Sequence, residues 1–154
     1  MSTHTQRSGD RYFEDVELGE ERTVADARTI TETDIVNYAG VSGDFGDIHV
    51  SEEAAKETGF GQRIAPGNMV HAIAETIGID WAVEAFSYGH DNIRFVNPVF
   101  IGDTITVHTE VVAVENYDDE FGRVVNKYTV TNQRDETVLV DEHILLVKRR
   151  NAGE

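Results

Sequence analysis

After one strand-like segment, the spacing of apolar positions runs through helical repeats and then gives way to strand-like segments in the second half of the chain. The segment Glu21–Thr29 opens the series as a strand, with Thr23, Val24 and Thr29 supplying β-branched residues. Thr31 follows as an N-cap, with Asp34 in the capping-box place. The helix it opens carries Ile35, Val36 and Tyr38 and is expected to end at Gly40. After a glycine-rich loop, Ser51 caps a short helix whose first turn holds Glu52 and Glu53. Gly59–Arg63 reads as a loop, and Pro66 suits the first turn of a longer helix. There Val70, Ile73, Ala74, Ile77 and Trp81 recur at three- and four-residue spacing and form one apolar stripe. Small neighbours such as Ala72 predict burial of this helix on more than one side. Beyond it the period becomes two.

Four strands are expected in that second half: Ser87–Val96, Thr104–Val114, Phe121–Asn132 and Thr137–Val147. The second alternates well, placing Ile105, Val107, Thr109 and Val111 on one face. Hairpin-like turns at Gly102-Asp103, Asp118-Asp119-Glu120 and Arg134-Asp135-Glu136 separate the strands. A long apolar helix followed by antiparallel strands describes an α+β domain whose sheet wraps the helix. One strand before the helices and four after them is the order of the hotdog fold. Residues 12–150 are expected to form this single domain, between flexible tails at 1–11 and 151–154. A lone open sheet leaves edges that natural proteins pair or cover, so a homodimer is expected.

Composition narrows the function. The 154 residues carry a formal charge of −16, which argues against binding a phosphate backbone. There is no long apolar run to span a membrane and no apolar signal region in the first residues. A cytoplasmic location is therefore the default expectation. With no cysteine, disulfides, thiolate metal sites and cysteine nucleophiles are excluded. Acids are dispersed along the chain and lysine is confined to Lys56, Lys127 and Lys148. That pattern resembles the surfaces of proteins from salt-loving organisms, where screening shortens self-repulsion.

The candidate chemistry lies at Tyr38-Ala39-Gly40-Val41-Ser42-Gly43-Asp44-Phe45-Gly46-Asp47-Ile48-His49. Asp44 and His49 stand five residues apart on what reads as a loop, where a scaffold presents reactive side chains. An acid and an imidazole held together can move a proton to or from water. Singly, Asp44 is also a turn residue and His49 a helix neighbour. Asp44, Asp47 and His49 as metal ligands have no distant partner, so no metal is assigned. Ser42 lacks a base and reads as a turn or cap. His71 follows Gly67 by one helical turn and reads as a core histidine. His90, His108 and His143 fall in strands and show no mutual pattern.

Three segments together resemble the MaoC-like dehydratases and (R)-specific enoyl-CoA hydratases, which have the hotdog fold. The family's motif runs from an aromatic through Gly-Asp, any residue, Asn-Pro and an aliphatic to His. Tyr38, Gly43-Asp44, Phe45, Ile48 and His49 match it, with Gly46-Asp47 replacing Asn-Pro. Gly61-Gln62-Arg63-Ile64-Ala65-Pro66-Gly67-Asn68-Met69 is similar to the start of the family's central helix. Arg94-Phe95-Val96-Asn97-Pro98-Val99-Phe100-Ile101-Gly102-Asp103-Thr104 resembles its strand-to-strand passage.

The resemblance implies reversible addition of water to a trans-2-enoyl-CoA, giving an (R)-3-hydroxyacyl-CoA. It assigns Asp44 and His49 to water activation and the Gly67 backbone N–H to the thioester oxyanion. Tyr38, Ser42, Phe45 and Asn68 are implied near the substrate, and Arg63 and Arg94 are candidates for its phosphates. No cofactor is required. Two other functions fit the same residues: a hotdog thioesterase, in which Asp44 activates water against the thioester carbonyl, and a non-catalytic acyl-thioester-binding protein.

Overall fold

The computed structural model describes residues 10–81 and 83–151. A single 3₁₀ turn, Phe13–Asp15, leads into β1 (Glu21–Thr29). Three helices follow: α1 (Glu32–Ser42), α2 (Asp47–Val50) and α3 (Glu52–Lys56). The long helix α4 (Gly67–Gly78) precedes β2 (Ala85–Phe95), β3 (Thr104–Asn116), β4 (Phe121–Thr131) and β5 (Thr137–Lys148). All five strands form one antiparallel sheet in the order β1-β3-β4-β5-β2. This is the α+β hotdog architecture that the order of periods predicts.

Local rules account for most boundaries. Thr31 caps α1, its side chain accepting from the Asp34 N–H, while the Asp34 carboxylate accepts from the Thr31 N–H. α1 runs two residues past Gly40 because the left-handed residue that stops it is Gly43, at φ 81°. Ser51 accepts from the Ala54 N–H and starts α3. In β3 every second residue from Ile105 to Val111 is buried, as alternation requires.

The core lies between α4 and the sheet. Met69, Val70 and Ala74 meet Ile105, Val107, Tyr128 and Val130 across this layer. Gly78 lets the helix end come close, since a Cβ there would stand 2.4 Å from the Tyr128 ring. Two expectations about α4 are corrected. The helix stops at Gly78, so Trp81 lies beyond it and is 40% exposed. Asn68, Ala72 and Thr76 are also exposed, so one face is buried rather than several.

Arg11, expected in the tail, is instead tied down by hydrogen bonds to Glu20 and Asp80. Residues 1–9 and 152–154 of the expected tails lie outside the described residues. No helix among the described residues is long and apolar enough to cross a membrane.

Candidate active site

The loop after α1 is built by its own short-range hydrogen bonds. The Ser42 hydroxyl donates to the Tyr38 carbonyl at 2.7 Å and accepts the Asp44 N–H at 3.1 Å. Asp44 Oδ1 accepts the Gly46 N–H at 3.3 Å, folding the chain back. The next residues are not loop, as the sequence suggested. They form the single turn α2, closed by Val50 N–H on the Gly46 carbonyl, and His49 sits within it. Gly46-Asp47 thus starts a helical turn, a place where the flexible glycine is tolerated and the acid faces the positive helix end.

His49 is anchored from a distant segment. Its Nδ1 donates to the Ile64 carbonyl at 2.7 Å, and that segment is pinned by Ala65 N–H on the Val99 carbonyl. A carbonyl can only accept, so in the neutral ring Nε2 is left with its lone pair. Nε2 stands 3.7 Å from Asp44 Oδ2, with the imidazole 14% and the carboxylate 45% exposed. That gap is too long for a direct hydrogen bond but suits one bridging water.

His49 also lines a cavity of about 370 Å³ with Phe60, Gly67, Val70, Phe95 and Leu139. As the first residue of α4, Gly67 has a backbone N–H with no acceptor inside the helix. A side chain there would collide with Phe95, whose ring carbon lies 2.7 Å from the position of a Cβ. The structure therefore gathers His49, Gly67 and an apolar cavity, with Asp44 reached through His49.

Other sequence candidates fall elsewhere. Tyr38 packs against the core and lines a separate groove along α4 with Met69 and Ile73. Phe45 is 61% exposed, and Asn68 is exposed on the outer face of α4. Arg63 is engaged by Glu32 and Glu52, each at 2.8 Å. Arg94 is exposed and donates to the carbonyl of Ile93.

A second polar cluster corrects the view that the strand histidines are unrelated. His90 on β2 pairs in register with His143 on β5, and their rings stack at 4.3 Å. Asp141 Oδ2 accepts from His90 Nδ1 at 2.8 Å and from His71 Nε2 at 3.0 Å. The bond to Asp141 raises the His71 affinity for a proton above the ordinary histidine value. Burial pushes Asp141 up, but the donors His71 and His90 outweigh it and hold the carboxyl below its usual range. Burial, reinforced by the charge of His90, pushes His143 down to about 4. Two sequence signals pointed here: His71 and Glu75 one turn apart on a helix, and Asp141 and His143 two apart on a strand.

The chain belongs to the MaoC-like domain family, whose model matches residues 14–133. Among curated relatives, an (R)-specific enoyl-CoA hydratase of Rhodospirillum rubrum is 36% identical over 67% of this chain and 71% of its own. A MaoC protein of Klebsiella aerogenes is 39% identical over 63% of this chain, a match spanning only 29% of that protein's length. Among solved structures, a monoamine oxidase regulatory protein from Archaeoglobus has a TM-score of 0.85 at 38% identity, covering 94% of this chain and 97% of its own. An R-hydratase from Pseudomonas aeruginosa has a TM-score of 0.71 at 26% identity, covering 88% and 84%.

Proposed function

We propose that this protein is a hydro-lyase that adds water reversibly to a trans-2-enoyl-CoA, giving an (R)-3-hydroxyacyl-CoA. The observation that carries the reading is the 3.7 Å gap between His49 Nε2 and Asp44 Oδ2 at an apolar cavity. A water held there is oriented by two acceptors. As its oxygen attacks C3, the pair takes its proton and supplies one to C2, so the net change is addition of water alone. Dehydration runs the same steps backward.

Negative charge builds on the thioester oxygen during attack. The Gly67 N–H at the start of α4 is suited to it, because the free donor and the helix dipole act together. Such a donor contributes about 3–4 kcal/mol to the transition state. Phe60, Val70 and Phe95 give the acyl chain an apolar wall. Two curated relatives, an (R)-specific enoyl-CoA hydratase and a 3-hydroxybutyryl-CoA dehydratase, support the same chemistry here.

Residues 12–150 act as one domain in this reading, and two copies pair through β2. That strand is a sheet edge and exposes Phe86, Tyr88 and Phe95. The test is purified protein with crotonyl-CoA, in low and molar salt, following loss of the enoyl absorbance. Turnover supports the assignment. Thiol release without loss of enoyl indicates a thioesterase, and tight binding without turnover indicates a carrier or scaffold.

A further inference from the structure

His71 and Glu75 lie one helical turn apart on the same face of α4, and His90 meets them from β2. One donor atom from each lies within 4.8 Å of the other two. We propose that His71, Glu75 and His90 bind one divalent transition-metal ion, which fastens α4 to the edge strand of the sheet. Imidazole with a single carboxylate is a donor set suited to Zn²⁺ and its first-row neighbours rather than to Mg²⁺ or Ca²⁺.

The spacing of the carboxylate is the first argument. Glu75 Oε2 faces His90 Nε2 at 3.7 Å. This separation is long for a hydrogen bond. Two donors each about 2.1 Å from a tetrahedral ion stand about 3.4 Å apart, close to that separation.

Asp141 supplies the second argument. By accepting from His90 Nδ1 it fixes the proton there and leaves the lone pair on Nε2, the nitrogen that faces Glu75. A carboxylate behind the imidazole is how metal-binding histidines are oriented and made more basic. Its side chain is 1% exposed, and its second oxygen, Oδ1, has no hydrogen-bond partner among the described residues. The site shares no residue with Asp44, His49 or the cavity beside them.

The experiment uses the full chain freed of metal by chelation, with excess Mg²⁺ present to occupy surface carboxylates. Zn²⁺ is followed by equilibrium dialysis and Co²⁺ by its visible spectrum. The expected result is one ion per chain, a tetrahedral Co²⁺ spectrum, and imidazole scattering at the zinc X-ray absorption edge. His90→Gln and Glu75→Gln weaken binding by about 100-fold, and Asp141→Asn by about 10-fold. His49→Gln leaves it unchanged. Absence of stoichiometric binding in the wild-type chain overturns the proposal, as does a zinc edge without imidazole scattering. Loss of the ion in His49→Gln, with retention in His90→Gln, also overturns it.

Discussion

Two acid–imidazole groupings occur in this molecule, and they are made in opposite ways. Asp44 and His49 come from one stretch of chain, stand 3.7 Å apart, and leave the carboxylate half open to solvent. Asp141, His71, His90 and His143 come from a helix and two strands: His71 and His90 bond to Asp141, His143 stacks on His90, and Asp141 is only 2% exposed. An open gap can admit water and a substrate. A buried network that joins a helix to two strands stiffens the layer between them. The first arrangement suits turnover and the second suits holding two elements together.

The largest effect that separates them is on rate. Asp44→Asn and His49→Gln are each expected to lower kcat/KM for crotonyl-CoA by about 10²–10⁴. Under the proposed shared-water mechanism, the double variant is expected to lose little more than either single one. Thermal melting of Asp44→Asn stays near wild type, since the Asp44 side chain is 45% exposed. Full rate in either single variant breaks the shared-water reading.

Asp141→Ala is expected to do the reverse. Removing a buried carboxylate that holds two imidazoles costs about 3 kcal/mol of stability. Denaturant unfolding measures it directly, with Asp44→Ala as a control that moves by at most about 0.5 kcal/mol. Equal losses in the two variants would erase the contrast between the open and closed groupings.

A third carboxylate sharpens the comparison because no imidazole holds it. Burial pushes Asp103 up, but Arg134, the Phe100 N–H and Gln133 together hold it below the ordinary carboxyl value of 3.8. A group depressed in the folded state contributes stability above its unfolded pKa and loses it as pH falls through the folded one. Below about pH 4 the stability of wild type should therefore fall more steeply with pH than that of Asp103→Asn, and above it the two slopes should match. Circular dichroism across an acid series reads it, and identical acid limbs would remove Asp103 from the account.

The smallest effect is at Arg63. Its partners Glu32 and Glu52 are 60% and 50% exposed, so Arg63→Ala is expected to cost at most about 1 kcal/mol. A rise in KM for acyl-CoA in that variant would instead return Arg63 to the phosphate-binding role suggested by its place in the sequence.

Much of the fold was legible because its causes are local. The Thr31–Asp34 capping box, Pro66 ahead of α4, and the alternation of Ile105, Val107, Thr109 and Val111 each act within a few residues. The Asp44–His49 pair was legible for the same reason, as a motif on contiguous chain. The turn α2 was not, because Gly46-Asp47 carries weak helix signals and the turn is supported by Ile48 and His49 bonding to Ile64 from elsewhere.

The order of elements, the family resemblance and the candidate Asp44–His49 pair could be read from the chain alone, since spacing, caps and motif residues are properties of neighbouring positions. Which distant groups meet came only from the folded molecule: His49 against Ile64, Gly67 under Phe95, and Asp141 between His71 and His90. Strand register and helix seating make those contacts. They depend on how side chains fill the layer between α4 and the sheet, which no local pattern specifies.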